Sequence, residues 1–352
     1  MLNNQIINWY IQHKRDLPWR QTKDAYLIWI SEIMLQQTKV ATVIEYYLQF
    51  INRFPTVADL ATADEQEVLK LWQGLGYYSR ARNLHQASKT IHTYYNGVIP
   101  SNYSEILQLK GIGTYTAAAI SAFAYNLPYA VLDGNVYRIL SRYYGIDTPI
   151  DFSGAKKIYQ QLATETMGDA SPEIYNQAII EFGALQCTPK IPKCDICPLL
   201  IDCVAHQLEL VDILPKKSKR IKIKNRYFYY LFLSCEHTFA IEKRESNDIW
   251  KNMYQFPLIE KNQSISLDQL VKSEEWLHLF GNSELVIQSV QENKVHKLTH
   301  QNIYASFIHL NLSDTNELKN KYKFINWNDW ADYPIPKPIE NHLSQFFAKK
   351  NS

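Results

Sequence analysis

The fold is decided by residues 109–118, which read LKGIGTYTAA and place Gly111 and Gly113 between two segments of helical composition. Glycine lets a backbone turn tightly and approach a ligand closely, and the first turn of a helix offers free N–H groups to a phosphate oxygen. A hairpin of this kind can hold DNA without reading its sequence. Taken alone, the pattern favours an ordinary turn between two helices, so other residues must decide whether it binds DNA.

Helical composition extends on both sides of this hairpin. Residues 24–53 contain no Gly or Pro and suit two helices that meet near Gln37 and Thr38. Gly and Pro residues separate the further predicted helices, which span 57–73, 79–94, 104–110, 114–125, 135–143, 153–166 and 172–186. The first two hundred residues are therefore predicted to be all-helical.

Length and composition define the class of protein. A chain of 352 residues predicts two or three domains, and 46% apolar with 20% charged residues is typical of a globular protein. No stretch approaches the roughly 18 consecutive apolar residues of a membrane span. The N-terminus lacks the apolar core of a secretory signal before Lys14 and Arg15, so we expect an intracellular protein without a membrane partner. A net charge of +2 does not indicate nucleic acid by itself, and any phosphate-binding surface must be local.

The composition of the sequence and its predicted secondary structure change after Pro215. Basic residues are dense from Lys216 to Arg226, which favours an exposed linker over a dedicated DNA contact. Strand-like runs follow at 227–235, 238–242 and 303–312, with helical patterns at 266–280 and 338–348. A second domain of the α+β class is therefore predicted.

Four of the five cysteines form a cluster, namely Cys187, Cys194, Cys197 and Cys203. In a reducing compartment such a cluster indicates a metal before disulfides. Zinc and an iron–sulfur cluster both accept four thiolates, and the spacing matches neither the ferredoxin pattern nor the paired two-residue gaps of a zinc ribbon. Cys235 stands in an apolar run and is predicted to be a core residue.

Taken together, the hairpin, the Asp133-Gly134-Asn135 sequence about twenty residues later and the cysteine spacing resemble the endonuclease III superfamily of DNA glycosylases. Within it, LPWR at 17–20, SEIMLQQT at 31–38 and GLGYYSRARNL at 74–84 resemble the MutY family of adenine DNA glycosylases. The resemblance is dense over residues 10–210 and thin beyond them.

The resemblance implies a multi-domain architecture. An all-α helix-hairpin-helix glycosylase region would span 1–212, followed by a basic linker at 213–226 and an α+β Nudix-like lesion-recognition domain at 227–352. The first region would divide into a six-helix barrel-type subdomain at 21–132, which carries the 109–118 hairpin, and an iron–sulfur subdomain formed by 1–20 plus 133–212. The resemblance also assigns one 4Fe-4S cluster to the four clustered cysteines.

Breaking the bond between a purine and deoxyribose requires an acid for the departing base and a negative charge near the sugar. Glu32 is, apart from Ser31, the only polar side chain between Leu27 and Leu35, and such surroundings can keep a carboxyl protonated near neutrality. From the sequence alone, Glu32 could equally emerge at a helix surface. The resemblance assigns it the role of the acid that protonates adenine.

Asp133 precedes a helical run, and by itself it would be interpreted as an N-cap. The resemblance instead gives it the stabilisation of the sugar cation, with Asn135 as the residue that positions it. Bifunctional relatives carry a Lys where this chain has Tyr115, and a phenol cannot form the imine through which they cut the strand. A monofunctional glycosylase without efficient lyase activity is therefore implied.

The base must leave the helix stack to reach such a site, and a side chain must fill the gap. By resemblance, Gln37 and Tyr77 are the intercalating residues, although without it ordinary loop and helix packing would be the better explanation. The remaining DNA-binding candidates are Leu35, Thr38, Leu75, Gly111 and Gly113. Adenine-pocket candidates, which could offer an aromatic face and N–H donors, are Arg15, Trp19, Arg20 and Gln177.

The C-terminal region resembles a Nudix-related module but has no Glu-rich catalytic box, so nucleotide hydrolysis is not expected. In the family this module recognises 8-oxoguanine opposite adenine through a Phe-Ser-His tip. The best match here is Leu298-Thr299-His300, which loses the aromatic wedge and keeps a hydroxyl.

By this resemblance, the chain is expected to be an adenine glycosylase of base excision repair that acts on double-stranded DNA with 8-oxoguanine:adenine or guanine:adenine mispairs. We expect a monomer in the bacterial cytoplasm, associated with the nucleoid. The alternatives are a related glycosylase for another mispair, such as guanine:thymine, and a non-catalytic iron–sulfur DNA-binding protein. Glu32 together with Asp133 argues against the second alternative, since binding alone requires neither an acid nor a sugar-stabilising carboxylate.

Overall fold

The computed structural model describes residues 2–218, 223–281, 285–315 and 318–350. Contacts between residues divide the chain into two compact units. The first unit consists of Met1–Ala63 and Asn83–Arg220, and the second of Asp64–Arg82 and Ile221–Ser352.

Helices account for the regular structure described up to residue 218. They are α1 (Leu2–His13), α2 (Ala25–Leu35), α3 (Val40–Arg53), α4 (Val57–Thr62), α5 (Glu65–Leu71), α6 (Ser79–Tyr94), α7 (Tyr103–Gln108), α8 (Thr114–Tyr125), α9 (Gly134–Tyr144), α10 (Ala155–Met167), α11 (Pro172–Leu185) and α12 (Val204–Gln207), with short 3₁₀ turns at Pro18–Arg20 and Cys194–Ile196. The predicted all-helical region is confirmed. The predicted helix at 57–73 is in fact two helices, because Asp64 caps a new one by accepting from the Gln66 N–H.

Four of these helices bring the candidate residues together. α2 and α8 pack against each other, and α11 packs against α1, α8 and α9. α2 is apolar almost all round and buries most of its residues, while α8 is built from small residues that allow close approach. The N-terminal ends of α8 and α9 and the middle of α2 and α11 therefore surround one space.

The hairpin that links α7 to α8 has the predicted form. Gly111 has a φ of +80°, and a Cβ atom there would lie 2.6 Å from Cβ of Asn83. Glycine is therefore required at this position both for the backbone conformation and for the space. Gly113 is the N-cap residue of α8, with ordinary extended backbone.

The second unit contains a mixed sheet. Its elements are β1 (Lys224–Cys235), β2 (Thr238–Lys243), β3 (Tyr254–Gln255), β4 (Leu258–Lys261), α13 (Leu267–Val271), α14 (Glu274–Phe280), β5 (Val286–Lys297), β6 (Gln301–Asn311), β7 (Lys323–Asn326) and α15 (Lys337–Lys350). β1 runs parallel to β6, and β5 pairs antiparallel with β6 at the edge of the sheet. The predicted α+β class is confirmed. β5 has no counterpart among the predicted strands, because it is an edge strand rich in polar residues.

The segment 64–82 belongs to the second unit by its contacts. Gln66 Nε2 donates to the Asn252 carbonyl, and Lys70 Nζ donates to the Tyr333 carbonyl, both at 3.2 Å. Gln73 Oε1 accepts from the backbone N–H of Ile335, also at 3.2 Å. These three side chains bond to backbone groups of the second unit, which attaches the segment to that unit.

The predicted basic linker at 213–226 needs correction at its end. β1 already begins at Lys224, and Arg226 is only 7% exposed, because its guanidinium pairs with Glu260 at 2.7 Å and Asp248 at 2.5 Å. Arg226 is therefore a structural residue of the sheet, and its interpretation as part of an exposed linker is wrong. Lys219, Arg220 and Lys222 lie outside the described residues.

No helix within the described ranges combines the length and the apolar character that a membrane crossing requires.

Candidate active site

A cavity of about 220 Å³ opens in the first unit. It is lined by ten of the residues singled out from the sequence, namely Arg15, Trp19, Arg20, Glu32, Leu35, Thr38, Tyr115, Asp133, Asn135 and Gln177. Arg15 and Gln177, which are 162 positions apart in the sequence, thus line the same cavity. The predicted catalytic and base-pocket residues occupy a single site.

Glu32 lies inside α2 and is only 5% exposed, so it does not emerge at the helix surface. Burial raises the pKa of its carboxyl to about 7; the Tyr115 hydroxyl and the Arg20 guanidinium oppose the shift, and the Asp133 carboxylate adds to it. Among the described residues, Oε2 of Glu32 has no hydrogen-bond partner. A carboxyl that is half protonated near neutrality and has an unused oxygen at a cavity can donate a proton to a ligand there.

Asp133 is the N-cap of α9, as its sequence position suggests. Oδ1 accepts from the N–H groups of Asn135 and Val136, each at 2.9 Å, and Oδ2 accepts from Nδ2 of Asn135 at 2.7 Å. Burial raises the pKa of Asp133 above its usual range, and these three bonds and the charge of Arg138 limit the rise because they stabilise the ionised form. The N-cap and functional interpretations are compatible, because the capped carboxylate still faces the cavity.

Arg138 is a buried residue that the sequence analysis missed. Its Nη2 donates to Oδ1 of Asn135 at 2.8 Å, and its Nε donates to the carbonyl of Cys187 at 2.7 Å. Gly183 on α11 makes this packing possible, since a Cβ there would lie 2.6 Å from Cβ of Asn135. Asn135 is thus fixed on one side by Asp133 and on the other by Arg138, which also contacts the cysteine loop.

Tyr115 lies on the first turn of α8, beside Glu32. Burial raises the pKa of its hydroxyl well above the usual range, and the carboxyl groups of Glu32 and Asp133 add to the shift. The phenol therefore stays neutral and acts as a hydrogen-bonding partner of Glu32.

Glu181 on α11 is a second residue that the sequence analysis missed. Its side chain is fully buried and pairs with Arg15 at 2.6 Å and with Arg20 at 2.9 Å. Burial favours a high pKa, but the hydrogen bonds from both arginines outweigh it and lower the pKa to about 2. Glu181 could have been found by the signal that marked Glu32, because it is the single charge in the apolar run of residues 178–185.

The candidate wedge residues have unusual backbone conformations. Gln37 has a φ of 56° in the turn between α2 and α3 and is exposed, and Tyr77 has a φ of 49° and is 43% exposed. Positive φ values are uncommon for residues other than glycine and often mark functional positions. Leu75 differs from Gln37 and Tyr77, because its side chain is buried, with 6% exposed.

The candidate recognition residues Leu298, Thr299 and His300 form the turn between β5 and β6. The turn is held by the Leu298 N–H, which donates to the Gln301 carbonyl at 2.8 Å, while Thr299 and His300 are exposed. The hydroxyls of Thr299 and Tyr77 lie 2.5 Å apart, within the second unit. A predicted wedge residue and a predicted recognition residue are therefore direct neighbours.

The four clustered cysteines line a second cavity of the first unit, next to the C-terminal ends of α9 and α11. Buried Arg142 places Nη1 at 3.4 Å from Sγ of Cys187, which sets a cation beside the sulfurs. Within the described part of the chain, no three His, Cys, Asp or Glu side chains are grouped so that they could hold one metal ion. Cys235 lies on β1, in the second unit.

Comparison with known proteins gives consistent matches. A family model described as "HhH-GPD superfamily base excision DNA repair protein" matches residues 30–166, and a "NUDIX domain" model matches 228–345. An adenine DNA glycosylase of Buchnera aphidicola subsp. Baizongia pistaciae is 37% identical over 349 residues, 97% of this chain and 95% of that protein. An adenine DNA glycosylase of Rattus norvegicus is 42% identical over 211 residues, 57% of this chain and 41% of that protein.

Among solved structures, a thermostable thymine-DNA glycosylase is similar with a TM-score of 0.55 and 28% identity. The similarity covers 58% of this chain and 95% of that one.

Proposed function

Because the chain belongs to the adenine DNA glycosylase family, we propose that it is a monofunctional enzyme that removes adenine paired with 8-oxoguanine or guanine during base excision repair. The observation that carries this proposal is the buried Glu32 carboxyl, with a pKa of about 7, in the same cavity as the capped carboxylate of Asp133. The two groups are the acid and the negative charge that cleavage of a purine nucleoside requires.

The proposed reaction begins with a flipped adenine in the cavity. Glu32 gives its proton to a ring nitrogen, and the electrons of the glycosidic bond move into the departing base. The sugar is left with oxocarbenium character, which the negative charge of Asp133 stabilises. Water then supplies the hydroxyl group at the sugar carbon, and its second proton returns to a carboxylate.

Monofunctional chemistry is supported by the cavity wall. None of the described residues that line it is a lysine, and Tyr115 is among them. By the family resemblance, bifunctional enzymes have a lysine at the Tyr115 position. Without an amine near the sugar, no imine can form there and the strand stays intact.

The choice of adenine over other bases is supported by the relatives that match the whole chain. The Buchnera protein, named for adenine, is similar over 97% of this chain, whereas the thymine-DNA glycosylase is similar over 58% of it. The guanine:thymine alternative is therefore the weaker one.

The function is tested on duplexes that carry one defined mispair each, with the released base identified. We expect adenine from 8-oxoguanine:adenine and guanine:adenine duplexes, and strands that break only after alkali. Release of thymine from guanine:thymine would support the alternative, and release of no base would support a non-catalytic DNA-binding protein. Strand cleavage at neutral pH would contradict the monofunctional assignment alone.

Recognition of 8-oxoguanine is proposed for the turn that carries Thr299, next to Tyr77. Thr299→Val should lower the ratio of excision rates on 8-oxoguanine:adenine and guanine:adenine duplexes by about three- to tenfold, the effect of one hydrogen bond. Thr299→Ser keeps the hydroxyl and is expected to keep the ratio. Both rates must be measured at one salt concentration, because phosphate contacts depend on salt. An unchanged ratio in Thr299→Val would remove this turn from lesion recognition.

The cysteine cavity fits one 4Fe-4S cluster held by Cys187, Cys194, Cys197 and Cys203. All four thiols line one space and could serve either metal, and the family to which the chain belongs favours the iron–sulfur cluster over zinc. When bound, the cluster would cross-link residues 187–203 through four iron–sulfur bonds.

Purified protein is therefore expected to be brown and to contain iron and sulfide. Cys197→Ser should lower the iron content, whereas Cys235→Ser, in the second unit, should leave it unchanged. Metal and sulfide analysis of anaerobically handled protein decides between the two metals. Stoichiometric zinc without sulfide would overturn the assignment of an iron–sulfur cluster, but it would leave the four cysteines as the proposed metal ligands.

The proposed place of action is the nucleoid of the bacterial cytoplasm, where the double-stranded DNA substrate is found.

A further inference from the structure

We infer that Glu181 is a positioning residue that orients the guanidinium groups of Arg15 and Arg20 toward a base in the active-site cavity. The inference rests on the proposed function, because it concerns the flipped adenine. It adds a residue that acts through two others and does not itself take part in the reaction.

The first observation is that Glu181 uses both of its carboxylate oxygens. Oε1 accepts from the backbone N–H of Arg15 at 2.9 Å and from its Nε at 2.8 Å. Oε2 accepts from Nη2 of Arg15 at 2.6 Å and from Nη2 of Arg20 at 2.9 Å. One carboxylate therefore fixes one edge of the Arg15 guanidinium and one nitrogen of the Arg20 guanidinium.

The second observation is that Glu181 leaves one nitrogen of the Arg15 guanidinium, Nη1, available to a ligand. Nη1 of Arg20 donates to the carbonyl of Arg15 at 3.0 Å, which completes the link between the two residues. Within the described residues, Nη1 of Arg15 makes no hydrogen bond, although Arg15 lines the cavity. This nitrogen can donate to a ring nitrogen of a base, since adenine offers such acceptors.

The third observation concerns burial. The Glu181 side chain is fully buried, while those of Arg15 and Arg20 are 34% and 14% exposed. Without the Glu181 carboxylate, the positive charges of Arg15 and Arg20 would repel each other, and the side chains could turn toward solvent. The neutral amide of a glutamine at position 181 could not hold both guanidinium groups. The charge of Glu181, more than its shape, therefore determines where the guanidinium groups point.

The test compares binding with and without a base in the cavity. The first probe is a duplex with 2′-fluoro-2′-deoxyadenosine opposite 8-oxoguanine, whose glycosidic bond resists cleavage because fluorine disfavours positive charge on the sugar. The second probe carries a tetrahydrofuran abasic analogue at the same position. Glu181→Gln should weaken binding to the first by at least about tenfold and leave binding to the second nearly unchanged.

Glu173→Gln is the matched control, because Glu173 lies on the same helix and pairs with Lys23 outside this network. It should bind both probes like the wild type. Equal losses on both probes for Glu181→Gln would indicate a merely structural role, and no loss on either would also overturn the inference.

A second variant keeps the inference testable if Glu181→Gln does not fold. Arg15→Lys retains the charge on a partly exposed residue but removes the fork that Glu181 holds. It should lose base-dependent binding in the same way, and wild-type binding by Arg15→Lys would overturn the inference. The proposed function is tested separately by base release: if the wild type frees no adenine from an 8-oxoguanine:adenine duplex, the proposed function fails, which is a distinct outcome.

Discussion

Replacing Glu32 with Gln should reduce the single-turnover rate of adenine release by about 10²- to 10⁴-fold, because it removes the proton donor and little volume. Binding of the lesion duplex should persist, since the amide keeps the shape of the side chain. Glu45→Gln is the control, as Glu45 is an exposed residue on α3. Adenine release at the wild-type rate by Glu32→Gln would end the assignment of the general acid.

The same residue predicts how the wild-type rate depends on pH. With a pKa of about 7 for Glu32, the protonated fraction falls above neutrality. The rate of the chemical step should therefore be level just below neutrality, where Glu32 is protonated and Asp133 is still ionised, and fall by about tenfold per pH unit above 7. Glu32→Gln should lack this decline, and a wild-type rate that rises across the same range would contradict a protonated Glu32 as the donor.

Replacing Asp133 with Asn should reduce the rate by about 10²- to 10³-fold, the usual effect of losing one preorganised charge-stabilising group. Asparagine is as good an N-cap as aspartate, so α9 should remain capped and the fold retained. The substitution removes the negative charge and the bond that Oδ2 accepts from Asn135, but it keeps the cap bonds to Oδ1, so it separates the functional role of the carboxylate from capping.

Asp24→Asn provides the matched control, because Asp24 caps α2 by accepting from the Tyr26 N–H. It makes the same chemical change at another helix start in the same unit and should leave the rate unchanged. If Asp133→Asn also keeps the wild-type rate and thermal stability, Asp133 is an N-cap and nothing more.

Much of the fold could be predicted from local patterns. The absence of Gly and Pro over 24–53 and the turn signals after it predicted helices that the structure contains, because helix boundaries are set by nearby residues. Local reasoning failed where the decisive partner was distant in sequence. In the sequence Arg226 resembles one more cation of the linker. It can be buried only because the fold places Asp248 and Glu260 beside its guanidinium.

For the site, the sequence by itself determined which residue types were available. They include an isolated Glu32, an Asp133 before a helix, a Tyr115 after the hairpin glycines and four grouped cysteines. Only the tertiary structure decided that Glu32, Tyr115 and Asp133 share a cavity and that burial raises the pKa of Glu32 to about 7. It also revealed Glu181, whose partner Arg15 lies 166 residues away. The physical reason is that burial and charge pairing are properties of three-dimensional packing, which brings helices together that no local pattern connects.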